Sequence, residues 1–541
     1  MSSSNNSRFS IRLPIFLTLA VSAGILIGAT MADGDTSKNN LFTGFQKFRE
    51  ILTYIERDYV DEVNTEKLVE EAIEGVLDNL DPHSVYIPAE DLEVAKSQLE
   101  GEFDGIGIEF NIVKDTIYVV APLSGGPSEE VGLQSGDKIV KVDGEVVAGT
   151  NITNGDVFDL LRGPKGSEVE VSIKRNGQNS LIDYTIVRDK IPQYSIDVSY
   201  MVDDQVGYVK ISRFSATTHD EFKSAVAELK KQGMQKLVLD LQNNPGGYMD
   251  RAVNIVDEML ADNKLIVYTE GKQSRFSTEA RAYKDGMFEE RPVIVLIDEG
   301  SASASEIVSG ALQDNDRALI VGRRSYGKGL VQLPITLSDE SELRLTISRY
   351  YTPSGRSIQK PYDDTDEYGT DILKRFEHGE FFHADSIEYN DSLKYKTLKG
   401  RTVYGGGGIT PDYFVALDTS MNSAYLGKLS YSNTLREYTY QYVEDNRKKL
   451  ERMGFDEYHD NFEVTDRMLD ELIALGNKNK APYNEEQFQR SKELIKIYVK
   501  AFIARGIWKS DGFYPIFNET NEIFQQALKL FPEAEKLVEP S

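Results

Sequence analysis

The run Val293-Ile294-Val295-Leu296-Ile297 constrains this chain more than any other stretch. Five apolar residues in succession read as a buried strand. The turn Asp298-Glu299-Gly300 follows, then Ser301-Ala302-Ser303-Ala304-Ser305-Glu306 and a helical segment from Ile307 to Asp314. The serines therefore stand at a helix N-terminus, where free backbone N–H groups and a positive partial charge are presented. A hydroxyl there lies beside amides able to hold an oxyanion. Gly300, Ala302 and Ala304 leave room for a polypeptide backbone to approach. These residues alone do not choose between Ser301, Ser303 and Ser305, nor between a nucleophile and a simple helix cap.

A nucleophilic serine needs a base. A second apolar run, Ala318 to Val321, leads into Gly322-Arg323-Arg324-Ser325-Tyr326-Gly327-Lys328-Gly329. Lys328 sits between two glycines and ahead of Leu330-Val331, and an amine desolvated by such neighbours can lose its proton near neutral pH. Lowering a lysine pKa from ~10.4 to ~7–8 costs roughly 3–5 kcal/mol, which the fold must supply. Gln332 is an even step further along a strand, on the face of Lys328, where it could orient the amine. The same stretch imitates a phosphate loop, but Gly329 stands where Ser or Thr would hold magnesium, and no good helix follows the lysine.

The motifs Gly300–Glu306, Gly327-Lys328-Gly329 and Gln332, with the serine–lysine separation, resemble the C-terminal processing (tail-specific) serine protease family. The resemblance implies Ser303 as nucleophile, Lys328 as general base and Gln332 as its positioner. A second strand–loop–helix unit, Lys236 to Leu241, Asn243-Asn244-Pro245-Gly246-Gly247 and Met249 to Leu260, repeats the arrangement at the serines. By the same resemblance Gly246 or Gly247, together with Ala304, supplies the oxyanion hole, and the core is a crotonase-type β/α superhelix.

Between about Leu99 and Asp189 the pattern turns to short β segments with glycine turns. Its succession of strands and two short helices resembles a PDZ domain, with Gly105-Ile106-Gly107-Ile108 as the carboxylate-binding loop. Successive N–H groups in a glycine-rich loop form a nest for an anion, and a captured peptide adds as a strand beside the domain's edge. Arg162 closes the second helix. It is read either as a solvated cation at a helix C-terminus or as a sensor of peptide occupancy that contacts the protease core.

The fold expected is α/β and multidomain: a crotonase-like β/α protease core with an inserted PDZ domain and helical N- and C-terminal regions. Expected boundaries are 1–12 cytoplasmic tail, 13–32 transmembrane anchor or signal peptide, 41–98 helical region, 99–189 PDZ domain, 190–418 protease core and 419–541 C-terminal helical region. Arg8 and Arg12 precede an uncharged apolar run, Leu13 to Ala32. Twenty helical residues span ~30 Å, one bilayer core, with the positive flank on the cytoplasmic side. This predicts an inner-membrane-anchored protein with its catalytic part in the periplasm, or one released there after cleavage. Leu41, Phe45, Phe48, Leu52, Ile55 and Tyr59 form one apolar helix face, read as core or as a dimer face. A second helix is expected over Glu66 to Leu80, with Leu68, Ala72, Ile73 and Val76 inward, and Asp81-Pro82-His83-Ser84 as its closing turn. Asp363 to Leu398 reads as a surface insertion.

The net charge of −27 argues against nucleic acid as a partner. The absence of cysteine excludes disulfides, thiolate metal sites and a cysteine nucleophile. None of the five histidines has ligand spacing, so no metal is expected, and local sequence puts none beside Ser303. No cofactor is called for, because a serine, a lysine and two amides fill every role. The expected partners are polypeptides with accessible C-termini, the membrane and a homo-oligomer. The alternative reading is a PDZ peptide-binding scaffold on an inactive core.

Overall fold

The computed structural model describes residues 36–538 apart from residue 124. The expected tail (1–12) and apolar segment (13–32) lie outside the described residues. The chain divides into two units, 1–79 and 80–541. In the first, helices Thr36–Asp58 and Thr65–Leu77 occur where periodicity expects two, and the Asn64 side chain caps the second by accepting from Lys67 N at 3.2 Å. Leu77 rather than Val76 is buried.

In the second unit a parallel sheet runs through Val206–Ile211, Lys236–Asp240, Val293–Ile297, Leu319–Gly322 and Tyr413–Phe414, with Ile196–Met201 antiparallel at one edge. All five residues of Val293–Ile297 are buried because both faces are covered. Val293, Val295 and Ile297 pack with the helices Thr218–Lys231, Met249–Asp257 and Ala304–Asp314. Ile294 and Leu296 face the last two helices, Glu522–Lys529 and Phe531–Val538, through Ile523, Phe524, Ala527 and Phe531.

An antiparallel sheet stands beside the parallel one. Its central strand Glu342–Tyr351 pairs with Leu330–Thr336, with Leu265–Gly271 and with the short strand Val85–Ile87. The last pairing carries the turn Asp81-Pro82-His83-Ser84 onto this sheet: Ser84 Oγ accepts from Thr346 N at 3.1 Å. The segment expected as a surface insertion is instead partly internal. Its helix Thr365–Glu377 brings in Arg375, which donates to Ser325 O and Arg324 O at 3.0 and 2.6 Å, and Tyr368, Arg375, Glu380 and Phe381 are buried.

The segment expected as a PDZ domain is an antiparallel sheet of Ile108–Ile112, Ile117–Pro122, Lys138–Val142, Glu168–Lys174 and Ile182–Val187, with the short strand Glu145–Val146 and helices Pro127–Glu130 and Asn154–Leu161. The chain enters and leaves it through one two-stranded ribbon, Glu102–Gly105 against Asp189–Pro192. Beyond the core, five helices between Ala424 and Phe517 build a separate apolar core around Tyr425, Leu429, Leu472, Ile495 and Ile503.

Candidate active site

Two loops follow adjacent parallel strands, 242–248 after Lys236–Asp240 and 298–303 after Val293–Ile297, and they are stitched side by side. Asp298 Oδ1 accepts from Asn243 N at 2.8 Å and from Gly300 N at 3.0 Å. Asn244 O accepts from Ala302 N and from Ser305 Oγ, both at 2.9 Å. Ser301 Oγ donates to Leu241 O at 2.8 Å. Ser301 and Ser305 are therefore fully buried braces whose hydroxyls are spent on backbone carbonyls. Ser303 differs from both: its side chain is only partly buried, and its backbone has φ +55° and ψ −112°. A β-carbon is disfavoured in that left-handed region, so the surrounding bonds must hold it there.

Those bonds tie Ser303 to Lys328 through the main chain. Glu306 Oε2 accepts from Ser303 N at 2.8 Å and from Lys328 N at 2.9 Å. Glu306 Oε1 accepts from Gly327 N at 2.7 Å and from Ser325 Oγ at 2.5 Å. On the other side the Tyr350 hydroxyl lies 2.5 Å from Lys328 O and 3.1 Å from Ser303 O. One carboxylate thus fixes three amides and a hydroxyl, and one phenol spans two carbonyls. The sequence reading named Glu306 only as part of the motif, and did not single out Tyr350.

The electrostatics follow from burial. Desolvation lowers the Lys328 pKa; Glu306 and Asp81 oppose that shift and Arg344 adds to it. The fully buried Glu306 is pushed up to about 7 by desolvation, against the four donors that favour its charge. His83, which no local pattern tied to the serines, is here close enough to Lys328 to feel its charge. Burial, and next that ammonium, lower its pKa to about 4, and its ring nitrogen lies 2.7 Å from Tyr368 Oη. Asp81 Oδ1 accepts from His83 N and Ser84 N at 2.9 Å and from Thr346 Oγ1 at 3.0 Å.

Gln332 Nε2 donates to Thr346 Oγ1 at 3.1 Å, and the ladder register shifts between Val331 and Gln332. Gly246 and Gly247 face the serine loop in different ways. Gly246 N donates to Asn244 Oδ1 at 2.9 Å. Gly247 pairs with Phe214 through its neighbours: Phe214 N donates to Gly246 O and Tyr248 N to Phe214 O. Among the described residues neither Gly247 N nor Ala304 N has a hydrogen-bond acceptor. A β-carbon on Gly246 would lie 2.7 Å from Ser303 Cβ, and one on Gly247 would lie 2.1 Å from Phe214 O. Both positions require glycine.

In the PDZ loop, Ile106 O and Gly107 O accept from Ser128 N and Leu123 N at 3.0 Å, and Gly107 has φ +72°. Among the described residues the Ile106 and Gly107 amides have no acceptor. Gly105 ends the entry ribbon and Ile108 opens the edge strand. Arg162 caps the helix Asn154–Leu161, and its guanidinium lies 4.8 Å from the Phe103 ring and 4.6 Å from the Phe158 ring. No hydrogen bond among the described residues joins this loop or Arg162 to the Ser303 cluster.

Comparison with known proteins agrees with this layout. Residues 205–367 match "Peptidase family S41", residues 118–175 match "PDZ domain", and residues 25–91 match "Activating protease CtpB N-terminal domain". Residues 425–509 match a family of unknown function, DUF8443. The chain is a PDZ-containing serine-type peptidase. A carboxy-terminal-processing protease of Bartonella bacilliformis is 38% identical over 62% of this chain and 79% of its own. The carboxy-terminal processing protease CtpB of Bacillus subtilis is 32% identical over 67% and 73%. A solved photosystem II D1 C-terminal processing protease is 32% identical over 57% of this chain and 82% of that one, with a TM-score of 0.33. This protein belongs to the carboxy-terminal processing protease family of S41 peptidases.

Proposed function

We propose that the chain is an endopeptidase that captures the C-terminus of a polypeptide on its PDZ domain and cleaves the chain with a Ser303–Lys328 pair. The neutral Lys328 amine takes the hydroxyl proton as Ser303 Oγ attacks the scissile carbonyl. The oxyanion is held by the Gly247 and Ala304 amides; Gly246, whose amide is already engaged, shapes the hole by lacking a side chain. Collapse expels the amine, which takes the proton back from Lys328. A water that gives its proton to the same lysine then hydrolyses the acyl-enzyme. Gln332, through Thr346 and Asp81, orders the polar wall beside the lysine.

One observation carries this reading: a single buried carboxylate, Glu306, accepts from the backbone amides of both Ser303 and Lys328. The Gly105–Ile108 loop, with unengaged amides at Ile106 and Gly107, receives the tail's carboxylate. Arg162, wedged between the PDZ helix and the entry ribbon, reports occupancy to the core. Arg8, Arg12 and the apolar run to Ala32 support a bacterial-envelope protein, held at the inner membrane or released after cleavage, with the catalytic part in the periplasm. The exposed Leu41, Phe42 and Phe45 support a homo-oligomer through the first helix. The PDZ insert is bounded by the 102–105 and 189–192 ribbon, and the last two helices, which cover the parallel sheet, are assigned to the protease core rather than to the C-terminal helical region.

Incubation with an unstructured, tailed polypeptide tests the proposal. Cleavage must vanish in both Ser303→Ala and Lys328→Ala while tail binding persists. Undiminished cleavage in either variant refutes the pair, and binding without cleavage by the unaltered protein favours the scaffold reading.

A further inference from the structure

The C-terminal helical region covers one face of the PDZ domain beside its peptide edge. Among the described residues strand Ile108–Ile112 pairs only with Ile117–Pro122, so its other edge is the one a tail would extend. Side chains alternate along it. Ile108, Phe110 and Ile112 pack on the PDZ core, which turns Glu109 and Asn111 to the opposite face. There Glu109 pairs with Arg505 at 3.0 Å and Asn111 donates to Tyr440 Oη at 2.5 Å. Tyr118, opposite Asn111 in the ladder, stacks on Tyr440 with ring centroids 5.0 Å apart. Lys114 pairs with Glu437 at 2.5 Å, and Arg447 donates to Ser135 Oγ at 2.8 Å.

A strand added to that edge must also alternate. With its carboxylate at the Ile106–Gly107 amides, its last side chain turns toward the apolar side of the strand, that of the partly buried Ile108 and Phe110. The side chain before it turns to the face of Glu109. That face is walled by the C-terminal region. Arg436, Arg505 and Glu109 are among the charged groups that act on Tyr440. The Arg436 side chain rests 5.8 Å over the Phe502 ring and has no ion-pair partner among the described residues.

We propose that residues 434–505 form a second wall of the tail-binding site, and that Arg436 and Arg505 select an acidic side chain at the penultimate position of the captured tail. This rests on the PDZ capture reading and assigns a substrate-selecting role to a region that has no role in the chemistry. Half-exposed ion pairs are modest, so the preference for glutamate over lysine should be about fivefold in Kd.

The test uses full-length protein carrying Ser303→Ala, and fluorescein-labelled peptides identical except for Glu, Ala or Lys at the penultimate residue. Anisotropy should rank them Glu, Ala, Lys. Arg436→Glu, at an exposed site, should bring the Glu and Lys peptides to parity or reverse them, with the Ala peptide within about twofold; Arg505→Gln should flatten the order as well. Equal binding of the three peptides by the parent overturns the inference, as does an unchanged ranking in both variants. An amidated tail that binds as well as the free acid overturns the capture reading, and this selection with it.

Discussion

Replacing Glu306 by glutamine changes one atom of a carboxylate that holds both halves of the site. Whichever oxygen becomes the amide, two buried donors lose their acceptor: Ser303 N and Lys328 N on one side, Gly327 N and Ser325 Oγ on the other. Leaving a buried donor unsatisfied costs about 1–3 kcal/mol, so the variant should lose about 2–6 kcal/mol of stability. That is a large share of the ~5–15 kcal/mol typical of a folded domain. Urea unfolding followed by fluorescence measures it. The folded fraction carries a second signature. Glu306 raises the Lys328 pKa, so removing its charge lets the amine lose its proton more readily. The acid limb of kcat/KM, which rises with pH as Lys328 becomes neutral, must then move to lower pH while the plateau falls. A loss below about 0.5 kcal/mol, or an acid limb that stays put or moves upward in the folded variant, refutes the account of Glu306 as the shared anchor.

Lys328→Met should abolish cleavage and yet stabilise the fold. The native state favours the neutral amine while the unfolded chain holds its proton up to about 10.5, so thermal melts should show a gain at neutral pH that shrinks toward pH 10.5. Ser301→Ala and Ser305→Ala each remove a buried hydroxyl that donates to a carbonyl; each should cost about 1–2 kcal/mol and leave some turnover, whereas Ser303→Ala should melt near the parent with no turnover. Gly247→Ala would set a methyl 2.1 Å from Phe214 O and should lower soluble yield and turnover together; a parent-like melt and rate would contradict the packing. Arg162→Ala should slow cleavage of a tailed substrate without weakening tail binding, and equal loss of both would remove its sensing role.

Much of this architecture was legible in local pattern. Val293–Ile297 occurs as a strand where its apolar content put it, and the serines do open a helix. What local pattern could not supply is pairing across long separations. Nothing in Asp81-Pro82-His83-Ser84 announces that Val85–Ile87 will join Glu342–Arg344 and set an aspartate and a histidine near Lys328. Tyr350 carries no local signal; only the fold shows its hydroxyl reaching two carbonyls. The three serines were equivalent by composition and spacing. Burial separates them, because two hydroxyls are consumed as braces. The acidic, aromatic stretch after Asp363 suggested a surface, yet Arg375 turns inward to cap the carbonyls of Arg324 and Ser325.

The ribbon at 102–105 and 189–192 sets the tail-reading module apart from the cutting module in a practical sense. Its two strands run side by side, so a foreign domain with neighbouring ends can be spliced there without rerouting the rest of the polypeptide.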